Sequence, residues 1–167
     1  MPPRTDEEGR QNVNEQGTVD DEPVIVRPGE GPSHVTPFGD TLTWLAGGAE
    51  TGGGYSLHDR IAPPGSASTP HVHHKVSEAF YVIDGEFEFA IADRKLVGDP
   101  GTLVLARVGE RHTWRNTSGR EARMLVIFSP PVNYGYFEEL DRLTRSASEG
   151  RPDLASLAAL AEQYGLT

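Results

Sequence analysis

Between Val24 and Pro131 short apolar runs alternate with glycine- and proline-rich breaks. The runs are TLTWLA, YSLHDRIA, EAFYVI, EFEFAIA, TLVLA, HTWRN and MLVIFS, and the breaks include GPS, GGAETGGG, APPG, GDPG, GER and NTSG. Strand-length runs at this spacing predict an all-β sandwich or barrel. In EFEFA, Phe87 and Phe89 share one face and Glu86 and Glu88 the other, the alternation of a half-buried outer strand. EAFYVI and MLVIFS are apolar at both parities, which predicts strands covered on both faces. Asp84-Gly85, between EAFYVI and EFEFAIA, reads as a two-residue hairpin turn.

After Pro131 the period changes. YFEELDRL, residues 136–143, reads as a short helix, and DLASLAALAEQY, residues 153–164, as a second. Leu154, Leu157, Leu160, Ala161 and Tyr164 fall on one stripe of the second, with Asp153 as N-cap and Gly165 as C-terminal cap. The pair is expected to pack on the outside of the β domain or on a partner chain. Residues 24–131 thus form the β domain and 132–167 a helical extension. Residues 1–23 stand apart: their only aliphatics beyond Met1 are Val13 and Val19, and seven acids face Arg4 and Arg10. This composition predicts a disordered acidic arm.

Composition narrows the function classes. A net charge of −10 with no Lys/Arg cluster argues against nucleic acid as a partner. The absence of cysteine removes disulfide and thiolate chemistry. No run approaches the length of a membrane span, and the N-terminus has no apolar signal region, so a soluble cytoplasmic protein is the expectation. GGAETGGG lacks the Lys-Ser/Thr ending of a phosphate-cradling loop, and no nucleophile elbow is present.

The chemistry gathers in TPHVHHKVSEAFYVIDG, residues 69–85. His71 and His73, at i and i+2 on an extended segment, point to one face. Glu78 opens the next strand, where its carboxylate can swing to the same point. His112 opens HTWRN, sharing a face with Trp114 and Asn116. Three neutral imidazoles and a carboxylate suit one divalent first-row metal ion per chain. With one Glu, a +2 ion leaves the site at +1, which attracts a substrate oxyanion. Strand parity turns His74 outward. Lone histidines in β proteins are ordinarily surface or hydrogen-bonded core residues, the reading given to His34 and His58. Phe80, Val82 and Trp114 share faces with the ligands and are pocket-lining candidates, though core packing explains them equally well. Thr43 and Trp44 are candidates for the barrel mouth.

The glycines around these residues carry a family resemblance. Gly65, His71, His73, Glu78 and Gly85 match the first cupin motif, G-x5-H-x-H-x4-E-x6-G, at every specified position. Gly101, Gly109, His112 and Asn116 match the second, G-x5-P-x-G-x2-H-x3-N, with Arg107 where proline is expected. The chain resembles single-domain quercetin-dioxygenase-like cupins and is similar to cupin-type polyketide cyclases. The resemblance implies a double-stranded β-helix, or jelly-roll barrel, with His71, His73, Glu78 and His112 holding iron, nickel, manganese, copper or zinc inside. It also implies a homodimer.

The expectation is therefore a metal-dependent enzyme acting on a small aromatic or enolisable molecule. In the leading version it is a dioxygenase, with Glu78 also serving as the catalytic base. The alternatives are a non-redox cyclase or isomerase using the ion as a Lewis acid, and a non-catalytic cupin that binds a small ligand.

Overall fold

The computed structural model describes residues 23–150 and 152–164. The acidic arm expected over 1–23 lies, Pro23 excepted, outside the described residues, as does Gly165. Nine strands are followed by two helices: β1 Ser33–Val35, β2 Thr41–Ala46, β3 Ser56–Ala62, β4 Ser77–Asp84, β5 Phe87–Ile91, β6 Arg94–Gly98, β7 Leu103–Ala106, β8 His112–Asn116, β9 Ala122–Ser129, α1 Tyr134–Ser146 and α2 Leu154–Gln163. The strands form a six-stranded sheet, β1-β2-β3-β9-β4-β7, and a three-stranded sheet, β6-β5-β8. All pairings between them are antiparallel. This is the β double-stranded helix that the strand spacing and motifs predict, with two C-terminal helices. Among the described residues no helix is long and apolar enough to cross a membrane.

Strand parity builds the core. On β3 the inward positions Ser56, His58, Arg60 and Ala62 are all buried. On β9 the inward set is Ala122, Met124, Val126 and Phe128; on β4 it is Glu78, Phe80 and Val82. From the small sheet Phe87, Phe89 and Trp114 close the interior, each 0–1 % exposed. Burying aromatic rings of this size contributes on the order of 2–3 kcal/mol each.

Three expectations are corrected here. Asp84-Gly85 is not a hairpin, because β4 pairs with β9 and β7 while β5 pairs with β6 and β8. The turn instead carries the chain from one sheet to the other. Gly85 has φ +80°, and a Cβ there would lie 2.4 Å from the Ala122 side chain, so both conformation and space require glycine. Second, β4 is not covered on both faces. Tyr81, Leu103 and Leu105 on the outer face of β4 and β7 are 41 %, 61 % and 47 % exposed, leaving an apolar patch open. Third, α1 does not lie on the outside of the barrel. It closes one end: Phe137 packs among inward-facing rings, 4.8 Å from His58, 6.1 Å from Trp44 and 6.5 Å from Phe128. Asn133 caps α1, and Val35 donates to Asp141, tying the helix to β1.

The second helix packs on the first. Leu160 is buried, Tyr164 meets Tyr136 at 5.7 Å and donates to Glu139, and Asp153 is the N-cap. Leu154, placed on the apolar stripe, is 76 % exposed, because the stripe's first turn overhangs the end of the contact.

His58 is core but, contrary to expectation, not hydrogen-bonded. It is fully buried against Trp44, Phe128 and Phe137, with no partner for either ring nitrogen. Burial, helped by the Arg60 charge and His34 and only partly opposed by Glu78, lowers its pKa to about 3. The unfolded chain binds this proton below about pH 6.5 and the folded chain does not until about pH 3. Stability from this group is therefore complete above pH 6.5 and lost as pH falls toward 3. In denaturant titrations of metal-free protein, stability should drop by about 2 kcal/mol from this residue between pH 7.5 and 5. His58→Phe should flatten that part of the curve; an unchanged slope would remove the assignment.

Candidate metal centre

The site begins with a backbone pairing. His71 N–H donates to the His112 carbonyl at 3.0 Å, and His112 N–H to the His71 carbonyl at 2.9 Å. This reciprocal pair sets the two residues opposite each other and, with the Ala67–Arg115 bridge, lays the segment before β4 along the edge of β8. Their rings come to 4.3 Å, and the His73 ring lies 4.8 Å from His71 and 5.3 Å from His112. The Gly109 N–H donates to the His73 carbonyl at 2.8 Å, fixing the third histidine to the turn before β8. Glu78 enters from the other sheet, at the head of β4 opposite Phe128 and Ala106.

The structure thus brings His71, His73, Glu78 and His112 together, one ligand atom from each, all within 4.8 Å of one another. Glu78 Oε2 is 2.9 Å from His112 Nε2, 3.1 Å from His73 Nε2 and 3.7 Å from His71 Nε2. Glu78, His73 and His112 are 3 %, 7 % and 2 % exposed, while the His71 side chain is 32 % exposed and marks the solvent side.

The tautomers follow from what lies behind the rings. His71 Nδ1 is 2.8 Å from the Thr69 carbonyl, and His112 Nδ1 is 2.8 Å from the Glu110 carbonyl. A carbonyl only accepts, so both Nδ1 atoms carry the proton. In the neutral rings both Nε2 lone pairs then face the Glu78 carboxylate. Acceptors converging in a buried place repel unless a cation stands between them. These donors fit a divalent ion, with the rings oriented from behind as metal-binding imidazoles are.

In the metal-free chain protons take that role. Burial would raise the Glu78 pKa, but hydrogen bonds from His112, His71 and His73 hold it well below the usual carboxylate range. Burial would lower His112, but its hydrogen bond and attraction to Glu78 raise it above the ordinary imidazole value.

The other residues singled out from the sequence are placed as follows. His74 is exposed and outside the cluster. Phe80 is fully buried with its ring 6.1 Å from His112; Val82 lies one inward position deeper, also fully buried. Trp114 lies beneath the guanidinium of Arg60, 5.0 Å from Cζ to the ring centroid. Trp44 stacks on His58 at 4.6 Å, and Thr43 lies outside the barrel, paired with Ser33. His34 Nε2 is buried without a partner. Arg107, where proline was expected, is a side chain 74 % exposed, and its backbone N–H donates to Glu110 Oε2 at 2.8 Å. A proline lacks that N–H, so Glu110 does here what a rigid ring would do, in the same turn that orients His112. Asn116 is structural: its amide donates to the Ala62, Pro63 and Arg120 carbonyls.

Sequence reasoning passed over Arg60, Asp40 and Tyr136. The signal for the first was present in SLHDRIA, whose alternation aims His58 and Arg60 inward together.

Comparisons agree with this geometry. Residues 59–128 match the Cupin_2 family model, described as a cupin domain. The chain is 35% identical over 88 residues to L-ectoine synthase of Mycobacterium sp. (strain KMS), covering 50% of this chain and 64% of that protein. It is 32% identical over 100 residues to L-ectoine synthase of Desulfatibacillum aliphaticivorans, covering 56% of this chain and 74% of that one. The chain therefore spans just under two-thirds of the first relative. Among solved structures, KdgF from Halomonas sp. superposes with a TM-score of 0.59 at 19% identity, over 65% of this chain and 94% of that one. A predicted oxalate decarboxylase from Thermotoga maritima superposes with a TM-score of 0.58 at 21% identity, over 64% and 98%. The chain belongs to the cupin superfamily. The resemblance to quercetin dioxygenases in particular is not what these relatives carry.

Metal-free protein titrated calorimetrically with zinc or manganese should take up one ion per chain. Uptake must displace the proton held on His112, so affinity should rise with pH through its raised pKa, with protons released. His112→Ala should weaken binding by more than about 100-fold, beyond the loss typical for a group behind a ligand. His74→Ala should leave it unchanged. Equal losses in the two variants would contradict the ligand set.

Proposed function

We propose that this cupin is a metal-dependent, non-redox enzyme that activates a small substrate through an oxygen atom, in an elimination, isomerisation or ring-closing reaction. The observation that carries this is the convergence of three imidazole Nε2 atoms and one carboxylate oxygen on a single buried point. A divalent ion held by His71, His73, Glu78 and His112 supplies Lewis-acid polarisation of a substrate oxygen.

The chain's own groups supply the rest. The Thr69 and Glu110 carbonyls hold the rings of His71 and His112 in the ligating tautomer. Glu78, its pKa held low, stays ionised, and its carboxylate is the group we assign both to hold the ion and to take the proton from the substrate. Tyr136, on α1, has its pKa raised by burial, with Arg60 and Glu78 both acting on its hydroxyl. It keeps its proton at neutral pH. The exposed side of His71 is the approach for substrate.

The non-redox reading stands ahead of the dioxygenase because the curated relatives are named as synthases. Their coverage is partial, so ectoine formation is one reaction to assay rather than an assignment.

A direct test is hydrogen exchange in D2O under argon. Protein loaded with zinc should catalyse deuterium incorporation next to the carbonyl of small ketones and keto acids, read by proton NMR. EDTA treatment or Glu78→Gln should reduce the rate by at least about 100-fold. Turnover seen only with dioxygen, with oxygen consumed stoichiometrically, would replace this proposal with the oxygenase.

A further inference from the structure

The barrel holds a second group of polar side chains that metal binding does not use. Arg60 is 6 % exposed and projects inward from β3. One terminal nitrogen lies 3.0 Å from Asp40 Oδ2, and the guanidinium plane sits over Trp114. Asp40, fully buried, also accepts from the Thr36 hydroxyl. The Arg60 head group is thus held by an ion pair and against a ring, while its Nε and Asp40 Oδ2 have no hydrogen-bond partner. His58, the preceding inward residue on β3, has neither nitrogen satisfied.

Each buried donor or acceptor left unmet costs on the order of 1–3 kcal/mol. An apolar side chain at position 58 would pack among Trp44, Phe128 and Phe137 at no such cost. Arg60 Nε and both ring nitrogens of His58, unmet in the same interior as the candidate metal cluster, therefore point to an occupant.

Register places this cluster relative to the ligands. Glu78 and Ser56 both sit opposite Phe128 on β9, one on each side; His58 and Phe80 both sit opposite Val126; Arg60 sits opposite Met124. His58 and Arg60 are thus two and four residues deeper than the level of Glu78, roughly 7 and 13 Å along the strand. Trp114, which carries the guanidinium, is one inward position from His112 on β8. The two sites face one interior.

We infer that Arg60, oriented by Asp40 and Trp114 and assisted by His58, is an anchor for a substrate carboxylate, so that the substrate is a carboxylic acid long enough for its reacting oxygen to reach the metal centre from the Arg60 head group. This deepens the Lewis-acid reading and rests on it for the reacting end only. A guanidinium edge matches a planar carboxylate. The Arg60–Asp40 pair is neutral in sum, which suits a singly charged acid better than a doubly charged phosphate. The buried neutral His58 contributes one donor.

The test uses metal-loaded protein and two probes of nearly the same shape, succinamate and its neutral diamide succinamide, with affinity read by ligand-observed NMR. Succinamate should bind at least tenfold more tightly. Arg60→Met should abolish that preference with metal content unchanged by elemental analysis. Since the single variant leaves Asp40 buried and unpaired, Arg60→Met/Asp40→Asn serves as the second variant if the first does not fold. The preference should persist in EDTA-treated wild type, because the anchor does not need the ion. Equal affinity for the two probes, or a preference that survives in the double variant or vanishes with the ion, would place the carboxylate elsewhere and overturn the inference. Those outcomes leave deuterium exchange untouched, whereas failed exchange with an Arg60-dependent preference would sink the Lewis-acid reading and keep the anchor.

Discussion

Four electron-pair donors point at one another inside this barrel, and two of them are prevented from turning away. The Thr69 and Glu110 carbonyls claim the Nδ1 protons of His71 and His112, so their Nε2 atoms must face Glu78. In a low-dielectric interior such an arrangement survives only with positive charge at its centre. Protons fill that need imperfectly, since a ring that donates to Glu78 must itself become charged and buried. A divalent cation satisfies all four at once. The fold keeps this otherwise unfavourable convergence in place, as a divalent-ion site requires.

It does so by distributing the ligands over elements that cannot move independently. His71 and His112 are joined by two backbone hydrogen bonds, His73 by a third to Gly109, and Glu78 belongs to a strand paired on both sides. Each ligand is therefore fixed by main-chain contacts rather than by side-chain packing alone. The turn from Arg107 to Glu110 shows how economical this is. Glu110 accepts the Arg107 N–H through its side chain and the His112 Nδ1–H through its carbonyl, so one residue shapes the turn and orients the ligand after it.

The strands and the four-residue cluster were legible in the sequence because strand parity and motif spacing are local patterns. Parity alone puts His71 and His73 on one face, and apolar runs bounded by glycine mark seven of the nine strands. Of the remaining two, β1 is three residues long, and β6, RKLVG, carries two charges on an edge where little apolar area is buried. The Asp84-Gly85 turn was misread because turn chemistry is local while partner choice is not. A tight turn fits a hairpin and a crossing between sheets equally, and only the competing pairing of β4 with β9 and β7 decides. The outer face of β4 was misread for a related reason: an apolar residue at an outward parity does not itself supply a cover. Arg60 escaped notice because a charged residue in a strand is ordinarily assigned outward, although its parity with Ser56 and His58 placed it inside.

The remaining question is why the end closed by α1 is so polar within. Phe137 seals it with an apolar ring, yet His58, Arg60 and Asp40 lie beneath and Tyr136 beside it. An enclosure meant only to exclude water from the metal would be cheapest if lined with aliphatic groups. One meant to hold a molecule must instead present directed donors, and these stay unmet until that molecule is bound. The position of α1 joins the two demands. Its Phe137, buried against His58 and Phe128, covers the interior at this end. The helical extension is in this sense a wall of the proposed site, packing Phe137 over His58 and Phe128.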